Sequence, residues 1–303
     1  MGRILFSFVL VGFFIYAETA CAEMTSTNYQ IRWDSVTTGG SDSSTSASYG
    51  LRDSVGNLAT GDSSSTNYQT SSGYRAGVFD QILTFNLFSQ ATSDFRSVSA
   101  SSGLTLSTGN TASVETGDFV ALIQDFGANQ ITAVGKVSSV SANTSITVDF
   151  WSTNGTSPTI DGVSDVYIEL NGTSASFGSL DNGNVSTLII GMEISSELTN
   201  GYSVQVLSNG NLTSGSYTIS AVSDGSVTAG SSEYGALSSD ITLASSTFDT
   251  QDTALTTSFQ DIVTQSGIKF NDRNFLTLKA SKNDQVGSGT YTQTLSFIAS
   301  GNF

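Results

Sequence analysis

Leu188-Ile-Ile-Gly-Met-Glu-Ile-Ser-Ser-Glu-Leu-Thr-Asn-Gly-Tyr-Ser-Val-Gln-Val206 is the stretch that decides the fold class. Leu188, Ile190, Met192 and Ile194 recur at every second position, as do Tyr202, Val204 and Val206. A period of two puts each set on one face of a strand. Between them Asn200-Gly201 supplies a tight turn, because both residues tolerate positive φ. The reading is therefore two consecutive antiparallel strands.

The same pattern extends outward. Tyr217 and Ile219 follow the Asn209-Gly210 turn, Leu276, Leu278 and Ala280 alternate again, and Tyr291, Leu295 and Phe297 form a last strand. Asn-Gly and Asp-Gly pairs begin at 154, 161, 171, 182, 200, 209 and 224, and Pro158 is the single proline. About seven strands over residues 173–303 predict an immunoglobulin-like β-sandwich.

Upstream, residues 83–172 predict a small β domain of SH3- or OB-like barrel type. Its strands are Val114-Glu-Thr-Gly-Asp-Phe-Val-Ala-Leu-Ile123, Ala133-Val-Gly-Lys-Val137, Ser145-Ile-Thr-Val-Asp-Phe150 and Asp165-Val-Tyr-Ile-Glu-Leu170. Short strands separated by turn residues suit a compact sheet. The Ser/Thr-rich residues 89–113 read as a long loop.

Residues 23–82 contain an internal repeat. Ser26-Thr-Asn-Tyr-Gln30 recurs as Ser65-Thr-Asn-Tyr-Gln69, and Ser46-Ala-Ser-Tyr49 is a looser copy. Each copy predicts a short strand followed by a Gly/Ser/Thr turn, and units this small must pair or stack to bury a face. The whole chain is thus expected to be all-β.

The first residues predict export. Met1-Gly-Arg3 is a positive start, Ile4 to Tyr16 is almost wholly apolar, and Glu18-Thr-Ala-Cys-Ala22 offers the small residues of a signal-peptidase site, with cleavage after Ala22. The apolar run falls short of the roughly 20 residues that span a bilayer, so no transmembrane segment is expected after cleavage. A lipoprotein signal at Cys21 is the alternative, but Glu18 stands where it needs an aliphatic residue.

Removing residues 1–22 removes the only cysteine, and the sequence contains no histidine. That excludes Ser-His-Asp and Cys-His catalysis and zinc sites built from His and Cys. The net charge of -16 argues against nucleic acid, whose phosphates call for Lys and Arg. Only 12% of residues are charged while 10% are aromatic, a balance that favours a folded chain over a disordered one.

Paired carboxylates remain the one open catalytic class. Glu115, Asp118, Glu169, Asp249 and Asp252 are available, but no spacing singles out a pair, and the chain is expected not to be an enzyme. Asp181-Asn-Gly-Asn184 and Asp249-Thr-Gln-Asp252 each offer part of a calcium shell without the ligand density of a recognised loop, so no cofactor is expected beyond calcium at these sites. Of the two tryptophans, Trp33 shares a strand face with Tyr29 and Ile31 and reads as core. Trp151 ends an alternating strand beside Asn154-Gly155 and is the candidate for glycan stacking. The sequons at Asn143, Asn154, Asn171, Asn184 and Asn211 read as incidental in so Asn/Ser/Thr-rich a chain.

Two resemblances attach to these residues. The Ser-x-x-Tyr units of 23–82 resemble a tandem module that follows the signal peptide in many secreted bacterial proteins, which implies export and surface display. Phe177-Gly-Ser-Leu180, Asn200-Gly-Tyr-Ser-Val-Gln-Val206 and Gly289-Thr-Tyr-Thr-Gln-Thr-Leu-Ser-Phe297 resemble the C-terminal β-sandwich modules of bacterial surface and fibre proteins, including the WxL-type cell-wall domain. No Trp-x-Leu tripeptide occurs, so cell-wall binding of that kind does not carry over. Composition, the tandem repeats and the sandwich-like end lead to the expectation of a secreted or cell-surface structural or adhesive protein that self-assembles into a layer or fibre, with itself, other surface proteins or glycans as partners and with the final strand 290–299 completing its own sandwich or a neighbour's. The alternatives are a carbohydrate-binding module and a carboxylate-dependent glycosidase.

Overall fold

The computed structural model describes residues 82–90, 94–172 and 174–302, together with six short strands within 24–72. The signal sequence, Trp33 and the repeat tyrosines Tyr29, Tyr49 and Tyr68 lie outside the described residues. The chain divides into two units, Met1–Asp80 and Gln81–Phe303. It is all-β, with no helix among the described residues.

In the first unit, β1 (Met24–Thr25) pairs with β2 (Gln30–Ile31), β3 (Gly39–Thr45) with β4 (Gly50–Val55), and β5 (Gly61–Ser64) with β6 (Gln69–Ser72). These are three antiparallel two-stranded ladders.

The second unit begins with β7 (Leu83–Ser89). Then come β8 (Arg96–Ser97), β9 (Ala100–Ser102), β10 (Thr105–Ser107), β11 (Phe119–Gln124), β12 (Ile131–Ser141), β13 (Ser145–Thr153) and β14 (Val166–Glu169). These seven form one sheet in the order β8-β14-β11-β12-β13-β10-β9. Its two end strands are consecutive in the chain, with only Val98 and Ser99 between them, and the sheet curls as a half-barrel. Irregular register around Val137 in the β12–β13 pair supplies the extra bend. Val98, Leu106, Val120, Leu122, Val137, Ile146, Val148 and Tyr167 fill the interior.

The expected loop over 89–113 is corrected by these strands: β8, β9 and β10 all lie in it. Their hydroxyl-rich sequence hides two core residues, Val98 and Leu106, which are 1% and 0% exposed. The expected strand from Val114 also starts late. Residues 114–118 make a turn in which Asp118 Oδ2 accepts the Glu115 N–H at 2.7 Å, and β11 begins only at Phe119.

The C-terminal strands are β15 (Ser186–Ser196), β16 (Tyr202–Ser208), β17 (Leu212–Ser214), β18 (Tyr217–Ala221), β19 (Glu233–Ser238), β20 (Gln260–Gln265), β21 (Lys269–Ser281) and β22 (Leu295–Gly301). One sheet runs β17-β18-β19-β21-β15-β7 and a second runs β20-β16-β22. Leu188, Ile190, Met192, Ile194, Tyr202, Val204, Val206, Phe248, Leu276 and Leu278 join them through one core. The strand β7 precedes the half-barrel in sequence yet belongs to the C-terminal sheet, pairing with β15 from Ser89↔Ile190 to Leu83↔Ser196.

β15 is buried on both faces. Besides the even-numbered residues read from sequence, Ile189 packs with Phe275 against Ala121, Ile123, Val134, Ile168 and Leu170 of the half-barrel's outer side. A strand covered on both faces carries a near-continuous apolar run. Leu188-Ile-Ile-Gly-Met fits that requirement.

Candidate functional site

Three of the five candidate carboxylates are held by partners of their own. Glu169 lies 3.8 Å from the Arg96 guanidinium and accepts from Ser113 Oγ and Asn171 Nδ2. Asp252 is engaged by Lys279 Nζ at 2.8 Å and by the Val227 N–H at 2.9 Å. Asp118 closes the turn described above, and Asp249 lies in a separate, partly exposed turn. Glu169 and Asp252 are thus committed to cations and Asp118 to backbone, while Glu115 is exposed and Asp249 partly so.

The calcium candidates resolve similarly. Asp181 Oδ1 accepts the N–H groups of Gly183 and Asn184 at 2.8 Å each. A bond from the Asn184 side chain and the Gly183 N–H hold this carboxyl below its ordinary range. That is the chemistry of a side chain stabilising its own turn. Among the described residues no group of three or more acidic, His or Cys side chains gathers around a common point.

Trp151 stands on β13 opposite Gly135 and packs partly buried against the half-barrel core. Its neighbour Phe150 is the more exposed ring and covers the Arg273 guanidinium at 4.1 Å. That guanidinium is fully buried, bonded twice to Asp149 at 2.9 Å and to Glu193 Oε2 at 3.0 and 3.3 Å. Lys136 Nζ reaches Glu193 from the other side at 3.7 Å. Asp149 and Lys136 come from the half-barrel, Glu193 and Arg273 from the C-terminal sheet, where they sit directly opposite each other. The charges are mutually satisfied, so this cluster ties the two sheets together.

A cleft of about 550 Å³ lies between Phe126–Asn129, Gly183–Val185 and Ser226–Ala229, with Lys279 and Asp252 at its wall. Lys279 is neutralised by Asp252, so the cleft presents no unpaired charge to a ligand.

The strand edges are less evenly provided for. At β20 the Thr264 N–H donates to Asp240 Oδ2 at 2.8 Å, and the hydroxyls of Ser238 and Ser246 donate to the carbonyls of Ile262 and Asp261. At β17, Thr213 exchanges backbone bonds with Thr292. Among the described residues, the outer side of β22 has no such cover and that of β7 has only the bridge between Ser89 and Gly172.

Which backbone groups are open follows from parity. The Asn302 N–H donates to Gly201 O, and Thr294 O accepts from the Asn209 N–H, so the even-numbered residues of β22 bond to β16. In an antiparallel ladder the intervening residues point their N–H and C=O the other way. Those residues are Leu295, Phe297, Ala299 and Gly301. On β7 the Gln90 N–H donates to Ile189 O and Ile82 O accepts from the Glu197 N–H, leaving Leu83, Phe85 and Leu87 open, while Ser89 pairs with Gly172.

The side chains at the open positions face the core. Leu83, Phe85, Leu295, Phe297 and Ala299 pack against it only partly buried, and Leu87 is 45% exposed. β7 and β22 touch each other, so both lips flank one side of the sandwich. Residues 81–93 and 285–303 contain no charged side chain. The sequence singles out the amphipathic final strand, residues 290–299, as one able to complete its own sandwich or a neighbour's, but gives no sign of the edge at β7.

Compared with family models, with curated proteins and with solved structures, the chain matches none at a significant level.

Proposed function

We propose that the chain is a secreted bacterial cell-surface protein with a structural or adhesive role, which acts by presenting its β domains and associating through them. The observation that carries this reading is the pair of edges β7 and β22, which carry no charged side chain and, among the described residues, have no cover beyond the Ser89–Gly172 bridge. Soluble proteins ordinarily blunt such edges with Lys, Pro or a covering segment. Two further features support it. The first residues have the three parts of a secretory signal, and three of the five candidate carboxylates, Asp118, Glu169 and Asp252, are tied up in a turn or in ion pairs. The C-terminal pair of facing sheets is read as an immunoglobulin-like sandwich, a unit suited to display outside the cell.

The test is fractionation of cells carrying the tagged full chain, followed by electron microscopy with a tag-directed label. The expected result is label in the envelope or culture fluid, arranged as a layer or as fibres. Retention in the cytoplasm refutes the reading.

A further inference from the structure

We infer that a second copy of this chain docks on β22, the two β22 strands pairing antiparallel about a two-fold axis beside Ile298. This rests on the self-associating reading above and names its partner and register. Three observations lead to it. The open N–H and C=O groups belong to Leu295, Phe297, Ala299 and Gly301, so a pairing strand must align odd residues with odd residues. The alternative registers differ in what they place side by side. With Ile298 on the axis, Phe297 meets the copy's Ala299 and Leu295 meets its Gly301, so every core-facing pair sets a large residue beside a small one. On the outer face Ser296 meets Ser300, and Ile298, itself 43% exposed, meets its own copy.

Charge selects the partner. A molecule of net charge -16 repels its own copies wherever acidic groups face each other, and Gln285 to Phe303 is a long stretch where no charged side chain does so. A cationic partner would gain nothing from that stretch. An identical edge gains a continuous ladder joining the two three-stranded sheets, and covers the half-exposed Leu295 and Phe297. The interface is isologous and therefore closes as a dimer. Among the described residues, Leu83, Phe85 and Leu87 of β7 remain open on each copy.

The test uses the full chain with Cys21→Ser, so that any introduced thiol is the only one. Two residues facing each other at a non-hydrogen-bonded antiparallel position have Cα atoms about 4.5 Å apart, within disulfide range. Ile298→Cys is expected to give a covalent dimer under mild oxidation. Ser296→Cys alone gives none, but mixed with Ser300→Cys it gives a heterodimer. Light scattering on the unsubstituted chain is expected to show concentration-dependent mass up to about 200 μM. Ile298→Lys, which sets two like charges face to face on the exposed side, should weaken association roughly tenfold or more. Ala299→Pro removes only an outward N–H and should act in the same direction.

A chain that stays monomeric overturns the inference. Strong exchange protection of the Phe297 and Ala299 amides in that monomer would mean that another segment of the same chain covers the edge. Association undiminished by Ile298→Lys, or failure of Ile298→Cys to cross-link in an associating chain, also overturns it. Localisation is a separate readout: an envelope-bound monomer removes this interface and leaves the surface role standing.

Discussion

Replacing Arg273 by Met tests the charge cluster that joins the two sheets. The Arg273 side chain is fully buried, and its partner Glu193 is 9% exposed. Methionine keeps much of the length that lies against Phe150 but withdraws the charge from both carboxylates. Asp149 is 40% exposed and can recover water, so its loss is small. Glu193 cannot. It keeps only Lys136 at 3.7 Å, from a side chain itself 39% exposed, worth at most about 1 kcal/mol. Removing one member of a buried pair costs about 3–5 kcal/mol, because the other charge stays buried and uncompensated. Arg273→Met is therefore expected to lose about 3 kcal/mol, a large share of the roughly 5–15 kcal/mol that holds a typical protein folded. The assay is urea unfolding followed by tryptophan fluorescence. A matched experiment adds Glu193→Leu, which removes the stranded carboxylate and should restore at least half of the loss. The reasoning fails if Arg273→Met costs less than about 1 kcal/mol, or if the double variant is no more stable than the single.

Three other outcomes follow from particular contacts. Gly201 holds φ +77 in the β15–β16 turn, and a Cβ there would stand 1.8 Å from the Gln265 carbonyl oxygen, so Gly201→Ala should cost more than about 1 kcal/mol by thermal or urea unfolding. Trp151→Ala should cost about 2 kcal/mol, less than the about 3–5 of a fully buried ring, because Trp151 covers the half-barrel core only in part. If Trp151 instead serves a glycan, the same variant keeps its stability and loses signal on a glycan array. Burial works against ionisation of Asp149, but bonds from Arg273 and the N–H groups of Phe150 and Lys136 outweigh it and hold the carboxyl below its ordinary 3.8. A depressed carboxyl contributes stability above its unfolded value and loses it as pH falls through the folded one. Unfolding midpoints should thus hold steady down to about pH 4 and then fall, and Asp149→Asn should flatten part of that fall; an unchanged acid slope would contradict the assignment.

The C-terminal strands were legible because their signal is local. Along β16 burial alternates strictly from Tyr202 to Ser208, which is what the spacing of Tyr202, Val204 and Val206 requires. What escaped reading depends on partners distant in the chain. β8, β9 and β10 are two or three residues long, too short for a period, and exist because β13 and β14 supply ladders for them. The sequence does not single out Arg273, which lies on the face of β21 opposite Leu276 and Leu278. Only the half-barrel, bringing Asp149 and Phe150, turns that face into an interior.

The open edges show the same dependence most sharply. Alternation alone reveals that Leu295, Phe297 and Ala299 face the core, and the composition reveals that no charge interrupts them. Neither distinguishes an edge from a centre. β15 is almost as free of charge as β22, holding only Glu193, yet it lies between β7 and β21. In a central strand the missing charges are required by burial on both faces. In an edge strand nothing in the monomer requires them, and Lys or Glu at Ser296, Ile298 or Ser300 would sit comfortably in water. The absence of charge at those three outward positions is therefore a property of the edge, and its physical explanation lies in what the edge meets.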